Sequence, residues 1–281
     1  MPELPEVEIV KRGLERAMDG SGKRKTITSL TLNRADLRYP FTPGMAGAVA
    51  GREINTFGRR GKYITLGLND GAALIWHLGM SGSIRIFEAG EEYAPLAHDH
   101  AVFNLNDGGT VVLNDPRRFG FLLHYKDDRW QNEEPFASMG PEPLGNDFNA
   151  PALAARLAGR KSPIKTALLD QKIVAGLGNI YVCEALWQAR ISPLRPANAL
   201  KDTQIENLSV QIRDVLTRAI EAGGSSLRDY RHTDGGLGCF QHRFSVYDRE
   251  GEICPACAGS CTITRIVQAG RSTFYCPQAQ K

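Results

Sequence analysis

The chain has 281 residues, of which 42% are hydrophobic and 23% charged, and its formal net charge is +3. That composition is ordinary for a folded globular protein and excludes a collagen-like, coiled-coil or disordered chain, while the length suggests two domains. No apolar run approaches the ~18 residues of a membrane helix, and the N-terminus lacks the basic and apolar regions of a signal peptide, so the expected location is cytoplasmic.

The first element in chain order is a helix over 5–18, with Val7, Val10, Leu14 and Ala17/Met18 at helical spacing and Pro5 in the first turn. A small basic loop, 20–25, follows. Next comes a strand-rich stretch. Ile64, Leu66 and Leu68 alternate, Asn69-Asp70-Gly71 turns the chain, and Ala72–Leu78 runs apolar. Ile84 and Ile86 alternate, as do Ala101, Phe103 and Leu105, and Thr110–Leu113 and Phe121–Tyr125 continue the pattern. Short strands between Gly/Asp/Asn turns indicate a β-sandwich or barrel. Residues 127–149 are acidic and rich in Pro and Gly, which reads as a linker. Helices are expected over about 150–158, from Ser162 (N-cap) and Pro163 (first helical position), over about 178–189, and over about 202–221. Residues 223–238 carry five glycines and read as a mobile loop, and short strands surround the final cysteines. The expected organisation is a β-sandwich domain (1–126), a linker (127–149), a helical domain (150–238) and a cysteine-bearing segment of short strands (239–281).

Charge is uneven. Residues 1–150 have a net charge of −3 and residues 151–281 a net charge of +6, so the C-terminal half is the better polyanion surface. Four of the six cysteines, Cys254, Cys257, Cys261 and Cys276, fall within the last 28 residues. In a reducing cytosol such a cluster reads as a metal site before it reads as disulfides. Cys183 and Cys239 read as packing residues. At the other end, removal of Met1 would leave Pro2 as a secondary amine. An α-amino group has a pKa of ~7.7–8.0, so part of it is neutral and nucleophilic near pH 7. Glu3 beside it can move a proton. Taken alone, the same residues also suit a plain helix entry.

Several blocks occur in a distinctive order: MPELPEVE, Arg59-Arg60-Gly61-Lys62-Tyr63, His77-Leu78-Gly79-Met80-Ser81-Gly82, Asp115-Pro116-Arg117-Arg118-Phe119-Gly120, Gly178-Asn179-Ile180-Tyr181 and Ala269-Gly270-Arg271. In this combination the chain resembles the bacterial formamidopyrimidine-DNA glycosylase (8-oxoguanine-DNA glycosylase) family from Met1 to Tyr275. The resemblance implies an α+β multidomain fold: an N-terminal β-sandwich with a catalytic N-terminal helix, then a helix-two-turns-helix domain with a zinc-finger hairpin. DNA would lie in a basic cleft between the domains. It also implies a monomeric bifunctional glycosylase and abasic-site lyase that removes oxidised purines from double-stranded DNA and cleaves the strand by β,δ-elimination.

The roles implied by the resemblance follow position by position. Pro2 is the Schiff-base nucleophile and Glu3 the general acid/base. Lys62 serves proton transfer in β-elimination; its bland alternative is a surface strand lysine. Arg271 assists the second elimination by contact with the 3′ phosphate, for which a planar guanidinium suits. Met80, Arg117 and Phe119 fill the void left by an extruded nucleotide, unless Met80 and Phe119 are core residues. His98, Arg160, Lys165 and Asn179 hold DNA, and the turn before Asn179 offers backbone N–H groups to a phosphate. Glu6 lies near the extruded base or is simply solvated. The loop 225–238 covers the flipped purine.

The zinc finger departs from the family, which has two Cys-x-x-Cys pairs. Cys254-Pro255-Ala256-Cys257 is intact, but Ala279 stands three residues after Cys276. A closed zinc site is almost always four-coordinate. Cys261 is expected to replace the missing ligand of one structural Zn²⁺; the alternative is a three-ligand, weak or empty site. Two rival functions stand beside the main one: an endonuclease VIII-like glycosylase for oxidised pyrimidines, and a non-catalytic zinc-finger damage-binding protein.

Overall fold

A computed structural model of the protein describes residues 1–19, 24–225 and 238–281. The expected loops at 20–25 and 225–238 therefore lie mostly outside the described residues. The chain divides into two compact units, one of Met1–Ala137 with Gly223–Cys239, the other of Ser138–Ala222 with Phe240–Lys281. Residues 127–149 serve both: Phe136 is buried against Tyr63 and Trp130 in the first unit, and Met139 and Phe148 are buried in the second.

The first unit begins with helix α1 (Leu4–Asp19) and strand β1 (Thr26–Leu32), followed by the short helix α2 (Met45–Val49). Strands β2 (Arg52–Arg60), β3 (Tyr63–Leu68), β4 (Ala73–His77), β5 (Ser83–Phe87), β6 (Asp99–Leu105), β7 (Thr110–Asn114) and β8 (Phe121–Tyr125) follow. Among the described residues they form one antiparallel ladder, in the order β5-β7-β6-β1-β2-β3-β4-β8. The β1–β2 link is short, with only Thr26↔Glu53 and Ile27↔Arg52 in register. There the ladder folds over and its halves face each other as a sandwich. Trp76 of β4 meets Phe103 of β6 edge-on at 5.3 Å, although those strands are not neighbours. One apolar core joins both halves to Val7, Val10, Leu14 and Met18 of α1.

The second unit holds α3 (Ala150–Leu157), α4 (Ile164–Leu168), α5 (Asn179–Gln188) and α6 (Asp202–Glu221), then a hairpin of β9 (Thr264–Gln268) and β10 (Arg271–Tyr275). Asn149 caps α3 by accepting from the Ala152 N–H at 2.9 Å. The start of α4 corrects the sequence reading. Pro163 stays outside the helix at φ −52°, ψ 141° and bridges to Pro196, while Ile164 N–H donates to the Arg195 carbonyl at 2.7 Å. A tertiary backbone bond thus replaces the expected Ser162 cap. Trp187 and Cys183 of α5 pack with Cys254, Cys276 and Phe274 in a small second core.

Candidate functional site

The N-terminal residues are buried rather than displayed. Pro2 and Glu3 lie at the head of α1 with little exposure. The Glu6 carboxylate accepts from the Glu3 N–H at 2.9 Å, the backward half of a capping box. Its other oxygen accepts the Ser225 N–H at 2.8 Å and hydroxyl at 2.9 Å. The solvated reading of Glu6 is therefore wrong: the residue is 2% exposed and fastens the helix start to the far end of its unit.

Lys62 occupies the turn between β2 and β3, one residue after Gly61, whose φ is +58°. It is buried, so the surface-lysine alternative is also excluded. The turn is tied to α1 through Arg59, which donates to Glu8 at 3.1 Å and to the Gly61 carbonyl at 3.0 Å. Burial would raise the Glu8 pKa, but Arg12, Lys11 and Arg59 together hold it below the ordinary carboxylate range.

The would-be void fillers are on loops and not in the core. Met80 is 38% and Phe119 46% exposed, and the Arg117 guanidinium lies 5.0 Å from the centre of the Phe119 ring. Their loops are pressed together. Gly79 has φ +63°, and a Cβ there would fall 2.3 Å from the Gly120 nitrogen. Only glycine permits that approach. The Gly79 N–H donates to His77 Nδ1 at 3.1 Å. Burial, with Lys62 and Arg38 nearby, pushes the His77 pKa down to about 4, so a neutral ring is the acceptor. His98 is exposed in the left-handed region at φ 72°, immediately before the buried Asp99. Arg38 and Tyr39, also exposed, were not anticipated. The Arg38 N–H donates to the Gly120 carbonyl, and Tyr39 packs on Phe121. No sequence pattern singled them out.

In the second unit Arg271 is exposed and follows a two-residue turn in which Ala269 and Gly270 have φ 47° and 73°. Paired positive φ values define the tight hairpin turn that Ala269-Gly270 supplies. Asn179 Nδ2 donates to the Ser272 carbonyl at 2.9 Å, and its Oδ1 has no hydrogen-bond partner among the described residues. Lys165, expected at a DNA surface, is instead fully buried with Nζ 3.5 Å from the same carbonyl. Both side chains thus brace the strand that carries Arg271. Arg160 is exposed and paired with Asp170 at 3.1 Å.

The four finger cysteines converge. The sulfurs of Cys254, Cys257, Cys261 and Cys276 lie within 4.8 Å of one another. Tetrahedral thiolate zinc, with Zn–S of ~2.3 Å, needs sulfurs about 3.8 Å apart, so the donor set fits. Ala279 packs beside the cluster, and its N–H points at Cys276 Sγ at 3.3 Å. Of the other two cysteines, Cys183 is buried as expected, whereas Cys239 is exposed.

A β-sandwich headed by a buried Pro-Glu helix start, with a helical unit and a four-cysteine hairpin, defines a class of DNA glycosylases. Residues 1–122 match the formamidopyrimidine-DNA glycosylase N-terminal domain, and residues 139–231 match the formamidopyrimidine-DNA glycosylase H2TH domain. The formamidopyrimidine-DNA glycosylase of Agrobacterium fabrum is 52% identical over 100% of both chains, and that of Beijerinckia indica 51% over 100% of both. Among solved structures, MutM (Fpg) from Thermus thermophilus superposes with a TM-score of 0.87 at 39% identity, covering 99% of this chain and 98% of that one. Lactococcus lactis Fpg in complex with abasic-site DNA gives 0.88 at 34% identity, with 100% of each chain covered. The chain belongs to the formamidopyrimidine-DNA glycosylase family.

Proposed function

We propose that this protein is a bifunctional glycosylase and abasic-site lyase that excises oxidised purines, 8-oxoguanine and formamidopyrimidines, from double-stranded DNA in the cytosol as a monomer. The observation that carries the proposal is likeness to formamidopyrimidine-DNA glycosylases over the full chain, joined to a buried Pro2-Glu3 start fastened by Glu6.

Once Met1 is removed, the Pro2 nitrogen attacks C1′ of the damaged nucleotide. The C1′–N bond breaks, the base leaves with the bonding electrons and takes a proton, and the opened sugar remains on Pro2 as an iminium. Glu3 moves protons between the base and the opening sugar. Loss of a C2′ proton, in which Lys62 takes part, expels the 3′ phosphate. In a second elimination a C4′ proton is lost and the 5′ phosphate is expelled, with Arg271 in contact with the 3′ phosphate. Met80, Arg117 and Phe119 occupy the emptied stack. His98, Arg160 and Asn179 bind backbone, and Lys165 supports the Asn179–Ser272 contact. Cys254, Cys257, Cys261 and Cys276 would hold one Zn²⁺, which when bound supplies a structural cross-link and takes no part in the reaction.

Borohydride trapping on abasic-site duplex tests the nucleophile. Pro2→Gly keeps a primary amine and should retain some covalent product. A chain extended before Pro2 should give none, because its nitrogen is then an amide; full trapping by that chain would overturn the assignment.

A further inference from the structure

Asp115 and Ser81 stand inside two of the recognised blocks, yet the reaction scheme gives neither a task. Asp115 is 0% exposed, and it is a charged side chain with two acceptor oxygens to satisfy. One oxygen accepts the Ser81 hydroxyl at 2.6 Å; the other accepts the Gly120 N–H at 2.8 Å. Ser81 Oγ in turn accepts the Arg117 N–H at 3.1 Å. The Asp115 peptide extends the web. Its N–H donates to the His98 carbonyl at 3.1 Å, and its carbonyl accepts from Arg118 N–H at 3.2 Å and meets His100 Nε2 at 2.9 Å.

Three loops therefore converge on one residue: the loop with Met80, the loop with Arg117 and Phe119, and the loop with His98. The side chains of Met80, Arg117, Phe119 and His98, proposed above to meet DNA, are all exposed. Their backbones must be set from below, and hydrogen bonds to a buried carboxylate are among the strongest a protein makes. We propose that the Asp115 side chain, acting through Ser81, is a positioning residue that sets the register of the two void-filling loops. The inference rests on the function proposed above.

The role separates two activities. Removing a base from duplex DNA requires filling the emptied stack. Trapping on a single-stranded, pre-formed abasic site does not. Asp115→Asn turns one acceptor into a donor facing a hydroxyl or an N–H. Ser81→Ala removes the bridge to Arg117 and leaves the rest of the web. With a misplacement of about 1 Å worth up to about a hundredfold, base release from duplex DNA should fall tenfold or more in both variants. Borohydride trapping on the single strand should stay within about twofold of wild type by the same estimate. Equal loss in both assays, or loss in neither, would overturn the positioning role. Should Asp115→Asn fail to fold, Ser81→Ala decides the question alone. A wild-type protein that neither releases base nor traps would instead sink the proposed function.

Discussion

His77 shows how one half-buried side chain makes the loop at Gly79 sensitive to pH. Its neutral ring accepts the Gly79 N–H, and its pKa is pushed down to about 4. In the unfolded chain a histidine titrates near ~6.5. Between those values the unfolded state binds a proton that the folded state refuses. Stability is thus fully present above about 6.5 and falls as pH drops toward about 4, by on the order of 3 kcal/mol. His124 is also held low by burial, so the comparison must be made with a variant. In urea unfolding at pH 7 and pH 4.5, His77→Gln should lose less stability on acidification than wild type; an equal loss would reject the assignment. Glu6 makes a second prediction at this scale. It is the acceptor shared by the Glu3 and Ser225 amides, so Glu6→Ala should destabilise by about 1–3 kcal/mol. Thermal melts measure that, and base release should fall with it because Pro2 is no longer fixed.

Among the elements, two tight turns place side chains of the proposed DNA interface, Met80 after Gly79 and Arg271 after Gly270. The Gly79 turn admits no side chain. In Gly79→Ala the methyl meets backbone at Gly120 and Phe119, and φ +63° is itself unfavourable for alanine. The expected loss is about 2 kcal/mol or more, read as a lower urea midpoint. The finger hairpin behaves differently. Three of its candidate ligands precede β9 and one, Cys276, follows β10. Metal binding in small domains is largely folding free energy, so Cys261→Ser should lower zinc content from about one per chain and loosen the strand that holds Arg271. Strand cleavage should fall while α1 and the sandwich stay folded. One zinc per chain in both proteins would show that Cys261 is not a ligand. Restoring cysteine through Ala279→Cys in the Cys261→Ser background should recover part of the zinc, since the Ala279 N–H already reaches Cys276 Sγ.

For the whole molecule the electrostatics are asymmetric, with the net positive charge in the C-terminal half. Binding to duplex DNA should therefore weaken steeply with salt, by roughly 0.9 logarithmic units of affinity per tenfold of salt for each phosphate neutralised. Arg160 is exposed and held in a surface pair with Asp170, a pair of small net worth. Arg160→Ala should lower affinity for all sequences and make the salt slope shallower by about 0.9. An unchanged slope in a filter-binding or anisotropy titration removes Arg160 from the DNA surface. Stability of the first unit should be unaffected, because Arg160 lies in the second.

Periodicity and motif by themselves determined the α1 helix, most of the sandwich strands, three of the four helices of the second unit to within a few residues, and the family. Those signals are local: spacing of apolar side chains, turn glycines and short blocks of letters. Strands β1 and β2 were not legible because their burial alternates irregularly, and helix α2 because it is only five residues long; β1 also pairs with β6, which is distant in sequence. The cap of α4 failed for the same reason, since Ile164 bonds to Arg195 rather than to Ser162. Only the tertiary structure could turn Lys165 inward to Ser272, bury Glu6 against Ser225 and bring three loops onto Asp115. Each of these joins residues far apart along the chain or on separate turns, and a buried charge finds its partner in space rather than by spacing.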